Sequence, residues 1–225
     1  MQTMQNLDDL IYFVNLFDDN GVKIEPTNDD DVVKITGYGF TLGTWNLQFG
    51  VGEVIDAVAY YIKLHQAKHS GSRWYWTVSL PDFETLLEST VLLNEHGGVV
   101  VKDDGDITGL FKFFDSTARR VADELLALAV QNGGTKLDNY DGYLTEIYHR
   151  NGFRVIARME FEPAFAPHDW MEAHGRPDVV FMMYDPDNKI AAHVNPVIFE
   201  DYGEAVAYRD SFINQGYRYT NLDAQ

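Results

Sequence analysis

The chain has 225 residues, no cysteine and a formal net charge of −18, from 35 Asp and Glu against 17 Lys and Arg. Its 45% hydrophobic and 14% aromatic residues are typical of a folded protein and exclude a disordered acidic tail. The absence of cysteine excludes a disulfide scaffold, thiol catalysis and a thiolate metal site. The acidic excess opposes direct binding to nucleic acid or anionic membranes, which both need clustered Lys and Arg.

The first part of the chain is predicted to be a mixed α/β segment. Apolar residues at helical spacing predict helices over 7–17 and 52–66, and alternation predicts strands at 22–25 and 32–35. The polar run at 69–72 is interpreted as a loop and as a boundary. Residues 1–72 are therefore expected to form an N-terminal α/β segment of unknown role.

The centre and end of the chain alternate between helical and strand patterns. We predict first a strand at 74–79, a helix over 83–93 that stops at Gly97-Gly98, and a hairpin over 99–113. A helix over 116–132, a strand at 135–138 and a short helix ending at Asn151-Gly152 are predicted to follow. The last predicted elements are strands at 153–161 and 179–184, an extended stretch at 189–199 and a helix over 204–214. This order predicts an α+β fold with a mixed central sheet flanked by helices.

One segment carries a family resemblance. Tyr148 lies four residues before Gly152-Phe153, at the end of the short helix and the start of a strand. This Tyr-x-x-x-Gly-Phe pattern, with the hairpin and long helix before it, resembles the GNAT superfamily of N-acetyltransferases. Residues 73–187 would form the GNAT-like domain, and residues 188–225 a C-terminal strand and helix.

Three shorter stretches make the chain look closest to GNAT-like proteins encoded by bacteriophages and prophages. They are Gly-Asp-Ile at 105–107, Lys-Leu-Asp at 136–138 and Arg-Pro-Asp-Val-Val-Phe-Met at 176–182. The resemblance implies that acetyl-CoA binds where two central strands splay apart, with its pyrophosphate on the backbone amides at the start of the long helix.

The matching loop in this chain is expected to hold the cofactor through Ser116, Thr117, Ala118, Arg119 and Arg120. Ser116 would cap the helix, Thr117 would donate its hydroxyl, and the arginines would offset phosphate charge. The family loop has the form Arg/Gln-x-x-Gly-x-Gly/Ala, and this chain has no glycine there. The alternative is a capped helix whose arginines pair with surface acids.

The resemblance also implies the catalytic groups. Tyr148 would be the general acid that protonates the departing CoA thiolate, or alternatively a tyrosine packed on the core. Asp141 stands where many members have an Asn that contacts the cofactor, and its charge is a poorer neighbour for phosphates. Asp106 and Glu160 are the candidates for the general base, because both adjoin strands expected to line the acceptor cleft.

Two classes of function follow. The first is an acyltransferase that moves an acetyl group from acetyl-CoA to an amine of a small molecule or protein. The second is a catalytically silent, acidic GNAT-like phage protein that binds a host protein with a basic groove, in a counter-defence or DNA-mimic role, or that is a virion component. The missing glycines, Asp141 and the charge of −18 favour the second class.

The remaining patterns predict little further chemistry. The seven His residues form no HExxH or short-spaced ligand set, so no metal site is predicted. Residues 164–177 are interpreted as an acceptor-site lid or a plain surface loop. No apolar run approaches the roughly 18 residues of a membrane span, and the N-terminus lacks a signal core, so we expect a cytoplasmic protein, or one in the host cytoplasm if phage-encoded.

Overall fold

A computed structural model describes residues 23–26, 32–37, 40–46, 88–163, 166 and 175–214, together with separate positions between 56 and 86. Within these residues ten strands form three sheets, and the fold is mixed α+β as predicted. The helix predicted over 7–17 and the loop predicted at 69–72 lie outside the described residues, as does most of the segment 164–177. No helix in the described part of the chain has the length and apolar content that a membrane span requires.

The first sheet is an antiparallel meander near the N-terminus. It contains β1 (Lys23–Pro26), β2 (Val32–Gly37) and β3 (Phe40–Asn46), which pair in that order. The first two strands confirm the prediction, whereas β3 was not predicted. Strands β2 and β3 are antiparallel, and their pairing extends to Gly37 and Phe40. The described positions between 56 and 68 are helical, in agreement with the helix predicted over 52–66.

The second sheet contains β4 (Thr90–Leu93), β5 (Gly97–Val101) and β6 (Ile107–Lys112), all antiparallel to their neighbours. The hairpin predicted over 99–113 is confirmed. The helix predicted over 83–93 is wrong in its second half, because Thr90–Leu93 pairs with β5. The Asn94 side chain accepts the amides of His96 and Gly97 at 2.8 and 2.9 Å, which makes a turn and not a helix end.

The strand predicted at 74–79 is also wrong where the structure describes it. Tyr75 and Val78 both lie in bends, and the Val78 amide donates to the Tyr75 carbonyl at 3.2 Å. The Tyr75 hydroxyl donates to the Lys112 carbonyl at 2.9 Å, so this side chain packs beside the end of β6. Aromatic content predicted a strand here, but a local backbone turn prevents pairing in a sheet.

The third sheet has the order β10-β8-β9-β7. Its members are β7 (Lys136–Tyr140), β8 (Phe153–Met159), β9 (Val179–Tyr184) and β10 (Val197–Phe199). Strand β9 is antiparallel to both neighbours, whereas β10 is parallel to β8. The strand predictions at 135–138, 153–161 and 179–184 are confirmed, and the stretch expected to be extended at 189–199 contains a 3-10 turn at Ala191–His193 before β10.

The helices with complete bounds in the described residues are α1 (Val121–Gln131), α2 (Tyr143–Arg150) and α3 (Tyr202–Asn214), and they pack on the second and third sheets. Helix α2 ends at Arg150 with Asn151 as its C-cap, and Gly152 follows with φ of 92°, the left-handed conformation typical of a glycine that terminates a helix. Helix α1 begins five residues later than the predicted start at 116. Arg120, with φ of 60°, breaks the helical path immediately before Val121.

The helices lie on two faces of the sheets. Val180 and Met182 join a core with α1 and α2, whereas Phe181 and Met183 pack against α3. Alternate residues of a strand point to opposite faces, so α3 lies across the third sheet from α1 and α2. Tyr60 contacts the second sheet on the face opposite α1, as the surroundings of Gly97 and Gly98 show.

Gly97 allows α1 to approach the second sheet closely. A Cβ at this position would lie 3.0 Å from both Val121 and Leu125 and would overlap the Phe111 carbonyl oxygen. Because that oxygen belongs to the backbone of β6, a larger residue could be accommodated only by moving a strand or the helix.

Gly97→Ala is expected to lower the free energy of unfolding by about 2 kcal/mol, the usual cost of inserting atoms into a packed core. Urea or guanidinium unfolding would measure the change. Gly203→Ala is the matched control, because Gly203 is exposed in the first turn of α3 and a helix prefers alanine. Equal stabilities for the two variants would contradict the close approach.

Candidate functional site

The second and third sheets meet at a single parallel bridge between Asp106 and Lys136. Toward the other end of β6 lies a cleft of about 1030 Å³. Its described lining comes from Tyr75 and Val78, from Leu110–Lys112 of β6, from most of the loop at 113–120, from the first turn of α1 and from one side of α2. The cleft therefore lies at the start of the helix that follows β6.

Four cationic side chains line the cleft in a chain that is otherwise strongly acidic: Lys112, Arg119, Arg120 and Arg150. The Lys112 ammonium donates to the Ala118 carbonyl at 2.8 Å and so holds the loop against β6. Arg119 and Arg120 are exposed, and neither forms an ion pair with any part of the chain that the structure describes. Their charges are thus available to an anionic ligand.

Among the described lining residues the acidic one is Asp123, and it is already paired. Its carboxylate accepts from Arg150 Nε at 2.9 Å and from Asn151 Nδ2 at 2.7 Å. Partial burial alone would raise the pKa of Asp123, but these hydrogen bonds and the charges of Arg150 and Arg120 lower it below its usual value. The ion pair cancels the charge of Asp123, so the cleft keeps a net positive charge from the remaining cations.

Ser116 stabilises the loop before α1 but does not cap the helix. The Ser116 hydroxyl accepts the Ala118 amide at 3.3 Å and lies 3.3 Å from His96 Nδ1, so the predicted cap by Ser116 is wrong. The first helical bonds run from the Asp123 and Glu124 amides to the Arg120 carbonyl, which makes Arg120 the residue that begins the helix.

Arg120 has the left-handed backbone conformation that glycine adopts without steric cost, with φ of 60° and ψ of 25°. An L-residue in this region usually costs on the order of 1 kcal/mol. The first amides of α1, at Val121 and Ala122, have no partner within the helix because of their position. Arg119 and Arg120 are exposed beside them and line the cleft, whereas Thr117 is exposed in the same loop but is not among the described lining residues.

Tyr148 lies in the main core and is not among the described residues that line the cleft. It is 7% exposed and packs edge to face on Phe153, with ring centroids 6.2 Å apart. Burial, and next the negative charge of Asp138, raise the pKa of the Tyr148 hydroxyl well above its ordinary value. The phenol is therefore a proton donor and not a base at any physiological pH.

Two other predicted residues lie outside the cleft. Asp141 follows β7 and accepts from Arg158 of β8 at 2.6 Å. Burial would raise the pKa of Asp141, but the Arg158 contact and a hydrogen bond from Thr145 lower it overall. Glu160 is exposed immediately after β8. The structure thus does not bring Asp141 or Glu160 together with the arginine pair.

Asp106 belongs to a network of charges on the α3 side of the sheets. Its Oδ2 pairs with Lys102 at 2.9 Å, and its buried Oδ1 has no hydrogen-bond partner, with Arg209 Nη1 3.9 Å away. Arg209 is 2% exposed and donates to the Leu137 carbonyl at 3.2 Å. Asp106 is thus a poorly compensated carboxylate beside a buried guanidinium.

Sequence reasoning missed Asp138 as a member of this network. Its carboxylate accepts from the Tyr202 hydroxyl at 3.0 Å. Burial, and next the charge of Asp106, raise the pKa of Asp138 above its usual value. The sequence does indicate that Lys136 and Asp138 share a face, because they are two residues apart on one strand. Only the fold shows that α3 covers that face.

Within the described residues, no group of three or more His, Asp or Glu side chains is arranged to hold a metal ion. Comparisons of this chain with protein-family models, with curated proteins and with solved structures give no match. The geometry and chemistry of the cleft are therefore the basis for a functional proposal.

Replacing Arg120 by glycine tests the left-handed start of α1. We expect the free energy of unfolding of the Arg120→Gly variant to be about 1 kcal/mol higher than that of Arg120→Ala, because alanine retains a Cβ that this conformation disfavours. The control is the same pair of substitutions at Arg119, whose φ is not positive. There the alanine variant should be at least as stable as the glycine variant. A greater stability of Arg120→Ala over Arg120→Gly in denaturant unfolding would contradict the assigned backbone.

Proposed function

We propose that the chain is a GNAT-like acyltransferase that binds acetyl-CoA in the cleft and transfers its acetyl group to an amine of a small molecule or protein. The observation that carries this proposal is the cationic cleft at the start of α1. Exposed Arg119 and Arg120 suit phosphate oxygens, with which guanidinium groups form strong charge-assisted hydrogen bonds. The unpaired amides of Val121 and Ala122 would add donors for the same phosphates.

The order of the elements supports the same proposal. The resemblance to GNAT proteins implies a cofactor that lies where two central strands splay apart. Strands β6 and β7 adjoin at one parallel bridge only, and the cleft adjoins the other end of β6. Arg120 adopts the backbone conformation of a glycine, which compensates at that position for the missing glycine of the family loop.

In the proposed reaction the acceptor amine attacks the thioester carbonyl carbon, a C–N bond forms and the C–S bond breaks. A base takes the proton from the amine nitrogen, and Tyr148 donates a proton to the departing thiolate. The two candidates for the base are Asp106, which lies at the other end of β6 and is paired with Lys102, and Glu160, which is exposed after β8.

A catalytically silent protein is the second candidate, and the position of Tyr148 favours it. The phenol is buried in the core and does not line the described cleft, and Asp141 is bound to Arg158. In this case the fold would serve binding alone. The charge of −18 would then direct the chain toward a host protein with a basic groove, or the chain would be an acidic phage component such as a virion protein.

Calorimetric titration with acetyl-CoA tests the cofactor site. We expect micromolar binding by the unchanged protein. The double variant Arg119→Ala with Arg120→Gly should weaken it by about 30-fold, because two charge-assisted contacts to phosphate are lost. Glycine at 120 preserves the backbone at the start of α1, so the loss would report on charge and not on a distorted loop.

The control variant is Arg176→Ala with Lys189→Ala, which removes two positive charges from exposed positions outside the cleft. Its affinity for acetyl-CoA should stay within about twofold of the unchanged protein, because exposed charges at a distance are screened by salt. Absence of binding at millimolar acetyl-CoA, or equal losses in the two double variants, would refute the cofactor site.

Tyr148→Phe tests the general acid. With an amine that the unchanged protein acetylates, the turnover rate should fall by about tenfold or more, within the range that a positioned proton donor contributes. The stability should change little, because the Tyr148 hydroxyl makes no hydrogen bond within the described residues. Steady-state kinetics and denaturant unfolding measure the two effects separately.

Tyr208→Phe is the matched control, since Tyr208 also packs its ring among aromatic residues but lies on α3. Its turnover should be unchanged. A wild-type rate for Tyr148→Phe would remove this residue from the mechanism, and acetyl-CoA binding without turnover for any amine would favour the silent alternative.

A further inference from the structure

We propose that Ser116 is a nucleophile activated by His96, and that it takes an acyl group from an ester or thioester to form a covalent acyl-serine. This inference rests on the cleft of the proposed function and deepens it, because it names a lining side chain that would carry the acyl group between donor and acceptor. The nucleophile can be tested without acetyl-CoA, because an activated serine also attacks small activated esters.

The Ser116 hydroxyl and an imidazole nitrogen lie within reach of each other. Ser116 Oγ is 3.3 Å from His96 Nδ1, although the two residues are 20 positions apart in the chain. A serine hydroxyl is a weak nucleophile unless an adjacent base takes its proton. The geometric sign of such a pair is a contact of about 3 Å, often longer when no substrate is bound. Ser116 and His96 meet this condition.

A third group favours loss of the Ser116 proton. The Ala118 amide donates to Ser116 Oγ at 3.3 Å, so one lone pair of the oxygen is occupied and the hydroxyl proton can point elsewhere. His96 Nδ1 accepts that proton when this nitrogen carries none of its own. The amide dipole also stabilises the negative charge that develops on Oγ as the proton leaves.

Backbone hydrogen bonds hold the two side chains in place. The Phe113 amide donates to the His96 carbonyl at 2.8 Å, and the Phe113 carbonyl accepts the Ser116 amide at 3.1 Å. The His96 amide also donates to the Asn94 side chain at 2.8 Å. Phe113 thus positions both members of the pair, and little freedom has to be lost before the reaction.

Ser116 differs from Tyr148 in its access to a ligand. Tyr148 is 7% exposed and is not among the described lining residues, whereas Ser116 is half-buried and lines the cleft. A nucleophile has to touch the acyl carbon itself, so access from the cleft is the first requirement for covalent transfer. Ser116 meets that requirement.

In the proposed step Ser116 Oγ attacks the acyl carbonyl carbon while His96 Nδ1 takes the hydroxyl proton. A C–O bond to the serine forms, and the bond from the acyl carbon to the leaving sulfur or oxygen breaks. The proton on His96 then passes to the leaving thiolate or oxyanion. An amine or water next attacks the acyl-serine, which releases an amide or an acid and restores the hydroxyl, so the cycle consumes no oxidant or reductant.

Reaction of the full chain with p-nitrophenyl acetate tests the nucleophile. Peptide mass spectrometry should find an acetyl group on Ser116, and p-nitrophenolate release measures the same step if water removes that group quickly. Ser116→Ala should abolish both signals, and His96→Ala should slow them by about 100-fold, within the range that a positioned base contributes. Added imidazole should restore part of the lost rate at Ser116, which a merely structural histidine would not explain.

Ser211 is the matched control in the same digest. It is also half-buried, but it lies on α3 and its hydroxyl donates to the Tyr208 carbonyl at 2.7 Å, which is not a base. Ser211 should stay unmodified in every sample, and Ser211→Ala should leave the rate of p-nitrophenolate release unchanged. Circular dichroism would verify that each variant is folded.

The absence of cysteine from the chain allows a second test that needs no substrate. Ser116→Cys introduces the sole thiol, and an adjacent imidazole promotes its alkylation because the thiolate is the reacting form. At neutral pH iodoacetamide should alkylate this variant about tenfold faster than Ser211→Cys. Adding His96→Ala to Ser116→Cys should lower the rate to that of the control.

The outcomes separate this inference from the proposed function. Acetyl-CoA binding by a chain whose Ser116 is unreactive in both tests overturns the nucleophile and leaves direct acetyl transfer in place. Acylation of Ser116 that requires His96, without acetyl-CoA binding at millimolar concentration, supports the nucleophile and overturns acetyl-CoA as the donor. Acylation of Ser116 that is no faster than that of Ser211, or that is unchanged in His96→Ala, overturns the activated pair.

Discussion

Lys136 ties together the parts of the molecule that meet where the second and third sheets adjoin. It forms the single parallel bridge with Asp106, it is 6% exposed, and its ammonium pairs with Asp104 at 3.0 Å and with Asp210 at 2.8 Å. Burial alone would lower the pKa of Lys136, but the two carboxylates raise it overall. A buried ammonium persists only with such partners, so one side chain fixes the β5–β6 turn and α3 to β7.

The cleft lies toward the other end of β6 from this junction, and the loop that follows β6 and the helices α1 and α2 line it. The two faces of β7 differ in chemistry. Leu137 joins the core below α1 and α2, while Lys136 and Asp138 join the charged network beneath α3.

The parts of this fold that the sequence predicts are those with local causes. The hairpin over 99–113 follows from its turn residues, and the end of α2 follows from Gly152. Strand β4 was missed because its apolar residues fit a helix equally well until β5 pairs with them. The start of α1 was misplaced because Ser116 has the chemistry of a cap, whereas the backbone of Arg120 sets the boundary. Asp138 was missed because its partner Tyr202 is distant in sequence.

The same electrostatics constrain both candidate functions. An acidic surface disfavours large polyanions, and a small cationic cleft within it would favour small anions whether or not a reaction follows. Under the acetyltransferase proposal Tyr148 would also have to reach the departing thiolate, although it is 7% exposed and does not line the described cleft. Binding alone makes no such demand, so the two candidate functions differ in what they require of Tyr148 and not in what they require of the arginines.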